Sequence, residues 1–253
     1  MTRLLLVGAC LGALVSFSTP ARAEMSGMDM GGATEAAPFG APVDDQHVFS
    51  HVMLNQFEGR LGRDTSFRWE GEAWAGTDSD RVLLRSEGEV SNGNVEEGQQ
   101  ELFYSRPIST YFNAQGGLRY DLDSRPGRGW LAFGIEGLAP LFFHVAATGY
   151  ASDKGHYGAK LEGSYDQLLT QRLVLQPQVE MNFYSKDDPA RLTGTGLSDI
   201  DMGLRLRYEF SRKFAPYIGV TYVSKFGGTA DFVRAAGESV NDVRFTAGLR
   251  VWF

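Results

Sequence analysis

Apolar and polar side chains alternate along most of the chain after residue 47. The clearest stretch runs from Asp199 to Phe210, and the stretch from Asp242 to Phe253 repeats the pattern. A period of two is typical of a β-strand with one apolar face and one polar face. The pattern therefore predicts an all-β fold. In the first stretch the apolar positions are Ile200, Met202, Leu204, Leu206, Tyr208 and Phe210.

The strands predicted by this alternation are long. Soluble strands have roughly five or six residues, whereas tilted membrane-spanning strands need about 9 to 11. We predict a transmembrane antiparallel up-and-down β-barrel of about 12 strands, although alternation alone also allows a soluble β-sandwich. The predicted strands are 47–59, 67–76, 81–91, 101–106, 110–121, 129–138, 141–150, 156–168, 171–184, 199–210, 213–224 and 242–253.

The predicted connections alternate in length, as they do in outer-membrane barrels. Short turns are predicted at 77–80, 107–109, 139–140, 169–170 and 211–212. Mostly longer loops are predicted at 60–66, 92–100, 122–128, 151–155, 185–198 and 225–241. This asymmetry favours the barrel over the sandwich.

The last predicted strand ends on Phe253. Such an ending resembles the signal read by the barrel assembly machinery of the Gram-negative outer membrane. If Phe253 lies on the periplasmic side, an even number of strands places the segment before His47 in the periplasm as well. The outer face would contact outer-membrane lipid, with aromatic residues in girdles at its edges. The candidates for these girdles are Tyr120, Trp130, Tyr150, Tyr157, Tyr184, Tyr208, Tyr217 and Trp252.

Residues 1–23 have the features of a cleaved secretory signal peptide. An apolar run from Leu4 to Val15 follows Arg3, and Ala21-Arg22-Ala23 is a small-x-small cleavage site. A lipoprotein signal ending at Cys10 is the alternative. Residues 24–46 lack periodicity and are rich in Gly, Ala, Pro and acidic side chains, so they are predicted to form a disordered tail before a barrel at 47–253.

Composition limits the chemistry that remains after cleavage. Cys10 is the only cysteine, so the mature chain has no disulfide, thiolate metal site or cysteine nucleophile. Loss of Arg3 and Arg22 changes the formal net charge from −7 to −9. This acidic balance argues against nucleic acid as a partner. No stretch after the signal approaches the roughly 20 apolar residues of a transmembrane helix.

Three methionines lie close together in the predicted tail, at Met25, Met28 and Met30. Methionine in a flexible segment has no core to fill, and its thioether is a soft ligand that favours Cu(I). These residues are therefore candidate copper ligands. A chance cluster in a linker is the alternative interpretation.

A second group of candidate ligands, His47, His51 and Met53, stands where the barrel begins. Residues four apart on a strand are roughly 13 Å apart, so His47 and His51 share an ion only if the segment bends. His51 and Met53 are about 6.6 Å apart on one face and can share one. Met53 would prefer Cu(I), whereas His51 accepts Cu(I) or Cu(II). The alternative is that all three are ordinary residues near a strand end.

Charged residues of both signs share the predicted inner face. Mixed signs favour salt bridges that line or plug a narrow barrel over a filter of one sign. His144 lies mid-strand between Phe143 and Val145 and is interpreted as structural. The charged positions include Arg68, Arg85, Lys160, Arg205, Arg244, Glu70, Glu87, Glu89, Glu136, Glu162, Glu180 and Asp201.

An enzyme is the other class of function considered. Ser91-Asn92-Gly93 matches part of the HxSNG motif of outer-membrane phospholipase A, but Glu89 stands where the motif has histidine. A serine without a neighbouring base is not activated as a nucleophile. No enzymatic activity is therefore predicted.

The chain resembles the copper resistance protein B family of outer-membrane proteins over about residues 44–253. The resemblance rests on the leader MSGMDM, the opening HVFSHVMLNQFEGR, the segments FRWEGEAWAG and LFYSRPIS, and the long block that begins GLRYDLDSRPGRGWLAFGIEGLAP. It implies copper binding and copper resistance by sequestration or export of periplasmic copper, with a periplasmic copper-binding protein among the partners. The leader lacks the repeated Met- and His-rich blocks of many relatives, which implies few ions per chain. A generic outer-membrane pore or structural barrel is the alternative.

Overall fold

The computed structural model describes residues 47–123, 125 and 127–253. These residues form thirteen β-strands, one α-helix and two 3-10 helices. The strands are β1 (Phe49–Leu61), β2 (Thr65–Gly76), β3 (Arg81–Ser91), β4 (Asn94–Pro107), β5 (Phe112–Asp121), β6 (Arg128–Ala139), β7 (Phe143–Ser152), β8 (Tyr157–Ser164), β9 (Gln167–Leu168), β10 (Leu173–Tyr184), β11 (Gly196–Tyr208), β12 (Phe214–Lys225) and β13 (Asn241–Trp252). Helix α1 is Gly227–Ala235, and the 3-10 helices are Pro140–Phe142 and Pro189–Arg191.

The strands form one closed antiparallel sheet. Strands that follow one another in sequence pair, except β8 and β9, which both pair with β10. Strand β1 pairs with β13 and closes the cylinder. At this seam the backbone N–H of Val52 donates to the carbonyl of Phe253 at 3.1 Å, and the N–H of Phe253 donates to the carbonyl of Val52 at 2.8 Å. The two-residue β9 continues β8 along the same partner, β10, so twelve strands complete the barrel. The predicted up-and-down barrel is confirmed.

The two faces of the sheet differ in polarity, as the alternation predicts. Large apolar side chains are exposed on the outer face, for example Leu102 (50%), Phe133 (64%) and Ile218 (65%). The inner face carries charged side chains that are buried, among them Glu58 and Lys160. An apolar exterior on a sheet without free edges is what the hydrocarbon of a membrane requires. The outer face therefore contacts lipid, and the charges line the lumen.

Strand β4 is much longer than the alternation predicts. The loop predicted at 92–100 is wrong, because β3 and β4 are joined by a two-residue turn at Asn92 and Gly93. Their φ angles of 50° and 78° match the type I′ hairpin turn that Asn-Gly favours. Residues 96–100 are polar or glycine and so lack a visible apolar face. The loop predicted at 60–66 is also shorter, at residues 62–64.

We call the end of the barrel that holds the start of β1 and the end of β13 the terminal end, and the opposite end the loop end. Connections at the terminal end are 77–80, 108–111, 140–142, 169–172 and 209–213. The longest connections, 185–195 and 226–240, are at the loop end, so the predicted asymmetry rests mainly on these two.

The loop predicted at 225–241 contains helix α1, which packs at the loop end. Its buried residues are Thr229, Ala230 and Val233. The hydroxyl of Thr229 accepts a hydrogen bond from the backbone N–H of Gly194 at 2.7 Å and lies 2.9 Å from the hydroxyl of Ser198. These contacts tie the two longest connections to each other and to β11.

Several aromatic residues predicted at the membrane interface point into the barrel instead. Trp130 and Tyr150 belong to a buried cluster with Leu83, Phe103 and Ala132, and Tyr184 packs against it. The reason is that a narrow barrel fills its interior with side chains, and large ones fill it best. Of the eight predicted girdle residues, those with exposed side chains are Tyr120, Tyr157 and Tyr208.

The predicted signal peptide at 1–23 and the predicted tail at 24–46 lie outside the described residues. Residues 48–253 form one compact unit. Within the part of the chain that the structure describes, no helix is both long and apolar enough to cross a membrane.

We expect the protein to require detergent for solubility and to migrate differently on a denaturing gel before and after boiling. A closed barrel has no free strand edge, so it resists detergent until it is heated. In a Gly117→Leu variant the new Cβ would clash with the carbonyl oxygen of Leu102, so the fast-migrating folded band should disappear. A protein that is soluble without detergent, or whose mobility never changes, would contradict the barrel.

Candidate functional site

A cavity of about 450 Å³ lies inside the terminal end of the barrel. Residues of β1 to β3, β5 to β8, β10 and β13 line it, so it occupies the full width of the lumen. Negative charge is in excess, which favours cations over anions. We call this space the terminal cavity. Its charged lining consists of the carboxylates Glu70, Glu72, Glu87, Glu136, Glu162 and Asp166 and the guanidinium groups Arg85 and Arg250.

The set of alternate residues of strand β1 that faces the lumen changes part-way along the strand. Its pairing with both neighbours shifts register after Leu54, at a β-bulge that includes Asn55. Before the bulge, Met53 lines the terminal cavity. After the bulge, Glu58 is buried in the lumen. Because a bulge adds one residue, odd positions face inward before it and even positions after it.

His51 and Met53 lie on the same inner face of β1. His51 is paired with Trp74 of β2, and Met53 with Trp252 of β13. The imidazole lies between the two indoles, with ring centroids 6.0 Å from Trp74 and 5.5 Å from Trp252. Arg250 Nη2 donates a hydrogen bond to Met53 Sδ at 3.5 Å. An imidazole and a thioether are therefore neighbours on one face of β1, and the thioether lines the terminal cavity.

Of the predicted copper ligands within the described residues, the structure brings together His51 and Met53. Met25, Met28 and Met30 lie outside the described residues. His47 is exposed and precedes β1. Among the residues that the structure describes, no group of three or more His, Cys, Asp or Glu side chains is arranged to hold a metal ion. A site built on this pair therefore depends on the thioether of Met53.

An imidazole that the sequence analysis interprets as structural faces the terminal cavity. His144 of β7 lines it together with Glu136 of β6 and Glu162 of β8. The sequence contains a signal for this orientation. Thr148 and Tyr150 of the same strand are buried in the lumen, and each is an even number of residues from His144, so the three side chains lie on one face. The terminal cavity is therefore lined by the imidazole of His144 on one wall and by the thioether of Met53 on another.

Ion pairs fill the lumen beyond the terminal cavity. Glu58 is fully buried and accepts hydrogen bonds from Arg60 at 2.8 Å and from Arg205 at 2.9 and 3.0 Å. Arg60 also donates to Glu89 of β3 and to Asp201 of β11, both at 3.1 Å. These contacts connect strands on either side of the β1–β13 seam.

Two further ion pairs cross the lumen. Lys160 of β8 lies 2.7 Å from Glu87 of β3, and Arg68 of β2 lies 3.2 Å from Glu180 of β10. Both pairs join strands on nearly opposite sides of the closed sheet. This layer separates the terminal cavity from a second cavity of about 210 Å³ at the loop end. We call this layer of ion pairs the septum. It consists of Glu58, Arg60, Arg68, Glu87, Glu89, Lys160, Glu180, Asp201 and Arg205.

Comparison with known proteins identifies the family. The family described as "Copper resistance protein B precursor" matches residues 48–253. The chain belongs to the copper resistance protein B family. Copper resistance protein B of Escherichia coli is 42% identical over 215 residues, which cover 85% of this chain and 73% of that protein. The copper resistance protein B homolog of Pseudomonas syringae pv. tomato has the same identity and coverage.

Among solved structures, the NanC porin matches with a TM-score of 0.53 and 11% identity, covering 79% of this chain and 98% of that chain. An identity this low shows the fold alone. The barrel fold and the family together make this copper resistance protein B family member an outer-membrane β-barrel.

Proposed function

We propose that this copper resistance protein B family member binds copper at the outer membrane and contributes to copper resistance by sequestering or exporting periplasmic copper. The observation that carries the proposal is the position of His51 and Met53 on the inner face of β1, where Met53 lines an acidic cavity. Membership of the family supports the link to copper resistance.

The chemistry of this pair suits copper. The thioether of Met53 favours Cu(I), and the neutral imidazole of His51 accepts Cu(I) or Cu(II). The surrounding carboxylates raise the local concentration of cations. Further donors precede β1 in the sequence, at Met25, Met28, Met30 and His47. Copper, mainly as Cu(I), is therefore the proposed cargo, with few ions per chain.

The terminal end is proposed to face the periplasm. The backbone pairing of Val52 with Phe253 places the start of β1 and the end of β13 at the same end, and the longest connections are at the other. Outer-membrane barrels have short periplasmic turns and longer external loops. In this orientation the segment with the three methionines is periplasmic, and a periplasmic copper-binding protein would deliver copper or receive it.

A generic pore or structural barrel is the alternative function. The likeness to a porin concerns only the fold. The septum argues against general diffusion, because its charged side chains pair across the lumen at hydrogen-bond distances. We therefore favour copper binding at the terminal cavity over passage of unselected solutes.

Cu(I) titration against a competing chelator tests the proposal with two variants. One variant replaces Met25, Met28 and Met30 by leucine, and the other combines His51→Ala with Met53→Leu. Leucine keeps much of the volume and apolarity of methionine but has no sulfur. We expect each variant to bind Cu(I) roughly tenfold or more weakly at its own site, which corresponds to about 1.4 kcal/mol, with unchanged barrel assembly.

The pH dependence separates the two proposed sites. Protons compete with metal for imidazole but not for a thioether. Binding that depends on His51 should therefore be weaker in an acidic buffer than in a neutral one, whereas binding to the three methionines should persist. Met202→Leu on the outer face is the control. Equal binding by all four proteins at both pH values would leave the generic barrel as the better interpretation, as would unchanged copper tolerance of a deletion strain.

A further inference from the structure

A row of aromatic and cationic side chains surrounds His51 at the terminal end. The imidazole is inclined by 27° to the indole of Trp74 and by 32° to that of Trp252. Arg81 Cζ lies 4.7 Å from the ring centre of Trp74, and Lys213 Nζ lies 5.6 Å from that of Trp252. The indole N–H of Trp252 donates to the backbone carbonyl of Arg212, which fixes the ring. Both indoles thus already attract positive charge here.

We propose that Trp74 and Trp252 are part of the metal site and make it selective for soft monovalent cations, Cu(I) and Ag(I), over Cu(II). This inference rests on the proposed copper site at His51 and Met53. The two indoles are the cross-strand partners of these residues, so an ion held by the imidazole and the thioether lies beside them. The negative face of an indole stabilises a neighbouring cation.

Selectivity follows from what the indoles cannot supply. Cu(II) prefers a tetragonal set of nitrogen and oxygen ligands, whereas Cu(I) accepts few, soft ligands. Indole faces offer negative electrostatic potential but no lone pair, and they occupy the space on both sides of His51 that additional ligands would need. Ag(I) shares the charge and softness of Cu(I) but is not oxidised in air, which makes it the more convenient probe.

Arg250 opposes a cation at this site. Its Nη2 donates to Met53 Sδ, and its Nη1 lies 3.9 Å from Asp166 Oδ2. The guanidinium group occupies one of the two lone pairs of the sulfur, so an ion on the other lone pair meets its positive charge unless Arg250 turns towards Asp166. Arg250 is thus a positioning residue that lowers the affinity of the site through both its charge and its hydrogen bond.

The test uses the full chain in detergent micelles, with Met25, Met28 and Met30 replaced by leucine. The measured metal binding then comes from the site at His51 and Met53. Ag(I), Cu(I) and Cu(II) are titrated separately against chelators, and tryptophan fluorescence is recorded. We expect Trp74→Leu and Trp252→Leu each to weaken Ag(I) and Cu(I) binding by between about twofold and thirtyfold, without changing Cu(II) binding. The corresponding Trp→Phe variants should bind more tightly than the Trp→Leu variants, because phenylalanine keeps an aromatic face. They should bind less tightly than the background protein, because phenylalanine is a weaker cation–π partner than tryptophan.

Trp69→Leu is the matched control, since Trp69 is on the same strand as Trp74 at the opposite parity, and its buried indole donates to Ser86 instead of contacting His51. Arg250→Gln should strengthen Ag(I) binding by about tenfold, because a unit charge near the sulfur is removed. If the Trp→Leu variants bind Ag(I) like the background protein while Met53→Leu does not, the indole role is wrong and the proposed copper site stands. If Met53→Leu also binds Ag(I) normally, the proposed copper site itself is wrong.

Discussion

Replacement of Glu58 by alanine is expected to lower the free energy of unfolding of the barrel by roughly 3 to 5 kcal/mol. Glu58 is fully buried and accepts hydrogen bonds from Arg60, Arg205 and the hydroxyl of Tyr217. Its removal leaves the guanidinium of Arg205 without a carboxylate, whereas Arg60 keeps Glu89 and Asp201. A buried charge that loses its partner keeps the cost of its desolvation, which is why this loss exceeds that of a surface pair. Urea titration in lipid vesicles, followed by gel mobility, measures the change.

Asp231→Ala is the matched control, because it breaks a carboxylate–guanidinium pair that is exposed. Asp231 lies 2.8 Å from Arg234 on helix α1, and both side chains are more than half exposed. An exposed pair contributes about 0 to 1 kcal/mol. Similar losses from the two variants would show that the septum does not stabilise the barrel.

A double-variant cycle separates the pairing from the loss of a side chain. In the Glu58→Ala background, Arg205 has lost its carboxylate, so Arg205→Ala should cost less there than in the wild-type protein. Additive losses would mean that the two residues act independently, in spite of their distance of 2.9 Å.

Strands with a complete apolar face were predictable from the sequence. β11 and β13 alternate over 12 residues, and the structure places both within a few residues of the prediction. β4 was only half predicted, because the part from Glu96 to Gln100 has no apolar outer face. The Asn92-Gly93 pair is a local signal for a two-residue turn. It was missed because the polar residues after it do not alternate with apolar ones, so the whole stretch was predicted as a loop.

The site was predictable only in part, for a different reason. A strand has a fixed spacing, so the shared face of His51 and Met53 followed from their separation by two residues. Which face points inward depends on the bulge at Asn55, which a single strand does not reveal. The positions of Trp74 and Trp252 beside His51 depend on the register of β2 and β13 against β1. Register between strands is a property of the closed sheet, so alternation along one strand does not contain it.

Planar bilayers that contain the wild-type protein are expected to show little ion conductance. The septum places four cationic and five anionic side chains across the lumen, and Lys160 with Glu87 and Arg68 with Glu180 join nearly opposite walls. A hydrated ion can pass only if it breaks these pairs, because they occupy the section between the two cavities. Separating such charges in a low-dielectric interior is unfavourable, so passage is slow.

Opening the septum should therefore raise the conductance by about tenfold or more, as the barrier from buried ion pairs falls. The variant that tests this combines Lys160→Ala with Glu87→Ala, so that both partners of one crossing pair are removed together. Asp231→Ala again serves as the control, since it changes a charge outside the lumen. Wild-type conductance equal to that of an open porin would contradict the closed septum, because freely passing ions require a continuous aqueous path. Unchanged low conductance in the double variant would place the barrier in the remaining septum pairs or beneath helix α1, and not at the pair that Lys160 forms with Glu87.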